Sequence, residues 1–252
     1  MNMKMNIQMN QPSDKIIGFI DRCKMYCSKN KKQITTGLSL VIGLSFLGTV
    51  YWGYRQWSHA QSYKAFLSAL KYYDAPVVAG ISRDKDDEIT FPDNQTKYKK
   101  VEELLTSGFN SYKSTAVGCM FGILLSDLFI TEQKNDQAIE ILSKAVSYVP
   151  SQSLKEFYTL KLTLLKMDSE NEKNKKEGLE SLKAMAENVN GYTHEASLYH
   201  LGFYHWNKKE YQDAQNYWRQ LITRYGTKAS GKQSGFADMA KQKLNLISTD
   251  FD

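Results

Sequence analysis

Residues 34–54 read ITTGLSLVIGLSFLGTVYWGY, 21 residues without a charge. As a helix this run is about 31 Å long, close to the ~30 Å of bilayer hydrocarbon. No other stretch limits the chain so strongly, because an uncharged helix of this length predicts a membrane span. Tyr51, Trp52, Tyr54 and Trp57 cluster at one end, as an interfacial aromatic belt requires. Ser58-His59-Ala60 offers a small-x-small signal-peptide cleavage site. The apolar run is longer than a signal-peptide core, however, and bulky aromatics follow it, so an uncleaved anchor is the expectation. Within the run, Ser45, Thr49 and Gly53 recur every fourth residue, and such small-residue ladders let a second membrane helix approach closely.

Charge supplies an orientation. The net charge is +6, and residues 1–55 carry all of it. Eight bases there (Lys4, Lys15, Arg22, Lys24, Lys29, Lys31, Lys32, Arg55) face two acids (Asp14, Asp21). Residues 56–252 hold 25 bases and 25 acids. Lys24, Lys29, Lys31 and Lys32 lie just before the apolar run. The positive-inside rule then predicts a cytoplasmic N-terminus with residues 56–252 across the membrane. A nucleic-acid partner would need a basic stripe on the folded part, and none is expected.

The remainder reads as all-α, with four prolines in the whole chain and apolar residues at helical spacing. Two segments resemble each other: GCMFGILLSDLFITEQKNDQAIEILSKAVSYVP, ending at Pro150, and ASLYHLGFYHWNKKEYQDAQNYWRQLITRYG, ending at Gly226. Each predicts an apolar helix, a polar turn and an amphipathic helix. The pattern resembles the tetratricopeptide repeat, of about 34 residues. Leu198, Leu201, Gly202, Ala214 and Trp218 fall on its positions in the later copy. Leu125, Ser126, Phe129, Ala138, Leu142, Ala145 and Pro150 do so in the earlier one. Gly202 and Ser126 are expected where the first helix presses on the second, with Ala138 and Ala214 at the closest approach from the other side. Between them Leu154–Met167 predicts a first helix, DSENEKNKK (168–176) a long charged turn, and 177–189 a second helix. The reference positions Ala138, Gly178 and Ala214 lie 40 and 36 residues apart. The expected organisation is a basic cytoplasmic segment 1–33, a membrane helix 34–54 and a repeat-like α-solenoid over 55–252. Its units are about 119–152, 154–189 and 195–228, with a capping helix about 234–247. Tyr63–Tyr73 and Tyr98–Phe109 predict two further helices, the first stopping at Pro76, with a charged loop at 81–94 between them.

The arrangement looks like the family of the ancillary SecYEG translocon subunit. The residues that carry the likeness are the uncharged span 34–54, the Tyr63–Leu70 helix, FNSYKSTAV (109–117), the Ala138–Pro150 helix and Leu201-Gly202 followed by Ala214. Architecturally it covers about residues 30–248. The longer basic N-terminus, the 81–94 loop and the extended 168–176 segment depart from it. The resemblance implies a bacterial inner-membrane protein with a periplasmic repeat domain. It also implies as partners the export-channel subunits and either secreted clients or periplasmic chaperones. A cell-envelope scaffold for cell-wall or division complexes, without translocon contact, is the alternative. By the same resemblance the repeat groove would be lined by Met120, Ile123, Asp127 and Ile130 in the first copy. In the last it would be lined by Tyr199, Phe203, Trp206 and Asn207.

Catalytic signatures are not evident. The chain has no glycine-rich phosphate loop, no HExxH and no GxSxG. His194, His200 and His205 are spaced by six and five, which does not place them on one helical face. Asp84, Asp86, Asp87 and Glu88 lack the spacing and central glycine of a calcium loop. Cys23 and Cys27 read as reduced cytosolic thiols and Cys119 as a small core residue. No enzyme activity, cofactor, metal or small-molecule substrate is expected.

Overall fold

A computed structural model of the chain describes residues 19, 21–22, 24–26, 28–78, 89–226 and 234–249. The readings above for Cys23, Cys27 and the acidic cluster Asp84–Glu88 concern residues outside those described. The described residues are helical apart from turns and one isolated bridge between Val77 and Phe91. The chain divides into two units after Trp57, and each is taken by itself.

The first unit holds most of α1 (Lys31–Asp74), which is long and apolar enough to cross a membrane. Among the described residues, its large apolar side chains from Leu38 to Trp57 are exposed, from Val50 at 53% to Phe46 at 68%. The hydroxyls of Thr35, Thr36, Ser39 and Thr49 turn back onto the helix. Thr35 donates to the Lys31 carbonyl at 2.8 Å, and Thr49 to the Ser45 carbonyl at 2.8 Å. Polar hydrogens in an apolar stretch are thereby satisfied without water. The sequence predicts a span and a separate helix ending at Pro76. Instead one helix runs to Asp74, because residues 55–62 contain neither Gly nor Pro to break it.

In the second unit the end of α1 joins the core. Ser62 and Ala69 are buried, and the Phe66 ring meets Phe121 edge-on at 5.1 Å. The Lys97 ammonium donates to the Ala75 carbonyl at 2.7 Å, answering one of the open carbonyls at the helix end. The helices then follow as α2 (Asn94–Tyr112), α3 (Gly118–Thr131), α4 (Asn135–Ser147), α5 (Gln152–Met167), α6 (Glu172–Glu187), α7 (His194–Asn207), α8 (Tyr211–Tyr225) and α9 (Gly235–Thr249). They pack in adjacent pairs, each against the next, in a solenoid-like series.

Pairing follows from apolar stripes. In α4, Ala138, Leu142 and Ala145 are at 0% exposure; in α8, Ala214, Trp218 and Leu221 are as well. Each large apolar side chain so buried contributes roughly 1.5–3 kcal/mol. The α3–α4 and α7–α8 turns are built alike, 76 residues apart. Gln133 (φ 61°) and Lys209 (φ 64°) take the left-handed conformation. The next N–H closes back on the helix: Lys134 to Phe129 O at 2.8 Å, and Glu210 to His205 O at 2.9 Å. This six-to-one bond is the Schellman ending, which reverses the chain sharply enough to lay the second helix on the first.

The middle pair corrects one expectation. Residues 168–176 are not a long turn, since α6 already begins at Glu172. Asn171 caps it by accepting from the Lys173 N–H at 2.9 Å. Glu172 pairs with Lys175 at 2.7 Å within the first turn, and Glu177 with Lys166 of α5 at 2.8 Å. The charged run is the solvated first turn of a helix, and a run without apolar residues hides that from periodicity. Gly178 lets α6 approach α5 closely: a Cβ there would lie 2.9 Å from the Thr163 carbonyl oxygen.

Candidate functional site

The first helices of successive pairs, α3, α5 and α7, carry the residues assigned to a groove. On α3, Met120 and Ile130 are half-buried against the core, and Ile123 lies within it at 4% exposure. Asp127 is half-buried and its carboxylate pairs with the Lys161 ammonium of α5. Tyr158, also on α5, has its phenol pKa raised by burial and then by the nearby Asp127 charge. Asp127 and Lys161 therefore join the first helices of neighbouring pairs through a charged contact. Sequence reasoning missed Lys161, because 34 residues separate the two.

On α7 the aromatic residues lie beneath the last helix. The Tyr199 ring is 5.5 Å from Phe236 of α9, and its carbonyl accepts the Trp218 indole N–H at 3.1 Å. Phe203 and Trp206 have ring centroids 5.8 Å apart. The Lys243 ammonium of α9 lies 4.1 Å from the Trp206 centroid and 5.6 Å from that of Phe203. This is cation–π distance and fixes α9 over these rings. Asn207 is exposed at the rim. With Phe203, His200 and Tyr204 it lines, together with Leu164 and Met167 of α5 and Asp168 just after it, a cavity of about 300 Å³. Of the four assigned residues, Asn207 is the one most open to solvent, and the three rings are half-buried.

The three histidines of this region do separate things. His194 is buried, with Nδ1 2.6 Å from the Tyr225 hydroxyl. His200 packs against Phe236, ring centroids 6.2 Å apart. His205 stacks on Tyr217 at 5.4 Å and places Nδ1 2.6 Å from the Glu210 carboxylate, with Asp213 4.0 Å away. Those three donors lie within 4.8 Å of one another, beside the turn that Lys209 closes. A charge-assisted hydrogen bond across that turn accounts for the contact. Cys119 is buried in α3, and burial pushes its thiol pKa up, which leaves it a poor nucleophile.

On α1, Ser45, Thr49 and Gly53 share one exposed face. A Cβ built on Gly53 would meet nothing within 4 Å. The face is therefore open to another helix at close range. Compared with protein-family models and with curated proteins, the chain matches none.

Proposed function

We propose that this chain is a membrane-anchored adaptor at the protein-export channel of a bacterial inner membrane, with its N-terminus cytoplasmic and its repeat domain periplasmic. Residues 34–54 are its single transmembrane helix, and residues 55–252 form a tetratricopeptide-like solenoid. The Ser45–Thr49–Gly53 face meets channel subunits, and the groove of first helices receives secreted clients or chaperones.

The observation that carries this reading is the exposure of the apolar side chains along α1, Val50 to Phe46 at 53–68%. Each gains roughly 1.5–3 kcal/mol on leaving water, so the segment needs lipid or a partner around it. Joining such a helix to paired helices supports a tethered binding surface. The likeness in residues 34–54, 109–117 and the later repeats supports the export channel as the place of tethering. The cavity lined by Asn207 and Phe203 supports peptide capture, since aromatic side chains and an amide suit extended segments.

The test is crosslinking in intact membranes, with a photoreactive residue at Ser45 in one variant and at Asn207 in another. Adducts of Ser45 with channel subunits, and of Asn207 with secreted proteins or chaperones, are expected. Adducts limited to cell-wall or division proteins would replace this reading with that of an envelope scaffold.

A further inference from the structure

We propose that the cleft between α6 and α8 is a second docking site, and that it takes an extended acidic segment of a protein partner. It is lined by residues of α6, α7 and α8 and shares none with the residues assigned to the groove of first helices. Its failure would leave the adaptor reading untouched.

One wall is a polar stripe. On α8, Asn216, Arg219, Gln220, Thr223 and Arg224 follow helical spacing, are exposed and line the cleft. The opposite face of α8 buries Ala214, Trp218 and Leu221 at 0% exposure, so the direction of the stripe is fixed by the core. From Ala214 to Tyr225 the helix carries no acid. Arg219 donates to its neighbour Gln215 at 3.3 Å, and Arg224 lies 5.9 Å from the Tyr225 ring centroid. Among the described residues neither guanidinium has a carboxylate within ion-pair distance. The lysines of the preceding pair do: Lys166 reaches Glu177 at 2.8 Å and Lys175 reaches Glu172 at 2.7 Å.

The other surfaces of the cleft combine apolar Ala186, Val189 and Leu198 with Glu187 and His194. Ala186 of α6, Val189 just beyond its end and Leu198 of α7 supply the apolar part of the lining. The cleft measures about 960 Å³, room for several residues of extended chain.

An extended peptide alternates its side chains between two faces. A segment alternating acidic with apolar residues presents carboxylates to α8 and apolar groups to Ala186, Val189 and Leu198. Acids two positions apart in such a segment lie about 7 Å from each other. Arg219 and Arg224 are separated by about 7.5 Å along the helix axis and by roughly 140° around it, an offset that their long side chains must span to meet such acids. Guanidinium forks bind carboxylates through two parallel hydrogen bonds, which gives the match direction as well as charge. A nucleic-acid strand fits less well, because it offers no apolar side chains to Ala186, Val189 and Leu198 and residues 56–252 carry no net charge.

The experiment is fluorescence anisotropy with the full chain in lipid nanodiscs. The probe is a labelled octapeptide alternating glutamate and leucine. Its competitors are the glutamine–leucine counterpart and a twenty-nucleotide oligothymidylate. The acidic peptide is expected to bind, the glutamine peptide at least tenfold more weakly. Arg219→Glu with Arg224→Glu is expected to cut affinity at least tenfold, and Arg219→Gln with Arg224→Gln to cut it less, with thermal melts unchanged in both. Absence of binding by the acidic peptide at millimolar concentration would overturn the proposal. Equal binding of the glutamine peptide, stronger competition by the oligonucleotide or unchanged affinity in the charge-reversal variant would overturn it as well.

Discussion

Gly202 and Trp218 occupy one space: a Cβ on Gly202 would lie 2.3 Å from the Trp218 indole nitrogen. That ring is at 0% exposure, and its N–H is spent on the Tyr199 carbonyl. The ring cannot withdraw without breaking the hydrogen bond and reopening the α7–α8 core. Gly202→Ala is therefore expected to destabilise the repeat unit by about 1–3 kcal/mol, despite alanine's better helix propensity. Trp218→Phe also weakens the unit, but in that background Gly202→Ala should lose much of its effect. Denaturant unfolding of the two single variants and the double variant checks this; strict additivity would mean the two residues do not share the space.

The left-handed residues of the two turns make an opposite prediction. Gln133 and Lys209 are exposed and hold φ near 60° with a Cβ that strains there. Glycine suits the position. Gln133→Gly and Lys209→Gly are each expected to raise stability by about 0.5–1 kcal/mol. A fall in melting temperature for both would show that their side chains contribute more than the strain removes.

Acid should weaken the later pairs through two histidines. Burial, reinforced by the Arg224 guanidinium, holds the His194 imidazole below its ordinary pKa. Burial does the same to His200, with Asp168 opposing it. A histidine of lowered pKa takes its proton more readily in the unfolded chain. The stability it contributes is complete above the ordinary value of about 6.5. It is lost as the pH falls toward the lowered one. Urea midpoints of the wild-type chain should fall between pH 7.5 and pH 5.5. His194→Gln is expected to be weaker throughout by roughly 1 kcal/mol, through loss of the Tyr225 bond, yet to show a shallower fall. Combined with His200→Gln the fall should be shallower still. Parallel pH profiles for all three proteins would remove the histidines as its cause.

The cysteines report topology. Cys119 is at 1% exposure with a raised thiol pKa, so it should stay unlabelled in the folded protein. Cys23 and Cys27 precede the apolar run. With a cytoplasmic N-terminus, a membrane-impermeant maleimide added to intact cells should label nothing until the inner membrane is opened, and then two thiols per chain. Labelling of those thiols from outside would reverse the orientation, and their absence from the mature protein would indicate cleavage.

Local pattern by itself determined the helical class of this chain, the apolar stretch of α1 and the faces that pair α3 with α4 and α7 with α8. Those properties follow from spacing within one helix, and burial of Ala138, Leu142, Ala214 and Trp218 rewards that spacing directly. The start of α6 at Glu172 was hidden, because a solvated first turn has no apolar period to read. Tertiary structure alone decided what α9 covers. Lys243 and Phe236 reach Trp206, Phe203 and Tyr199 only after α8 has folded back, and this leaves Asn207 as the open residue of that set. It alone also joined Asp127 to Lys161 and brought Arg219 and Arg224 to one cleft with Ala186 and Val189. Contacts between side chains more than thirty residues apart depend on how one pair stacks on the next. That stacking is set by the summed packing of whole faces, and no single stretch of sequence records it.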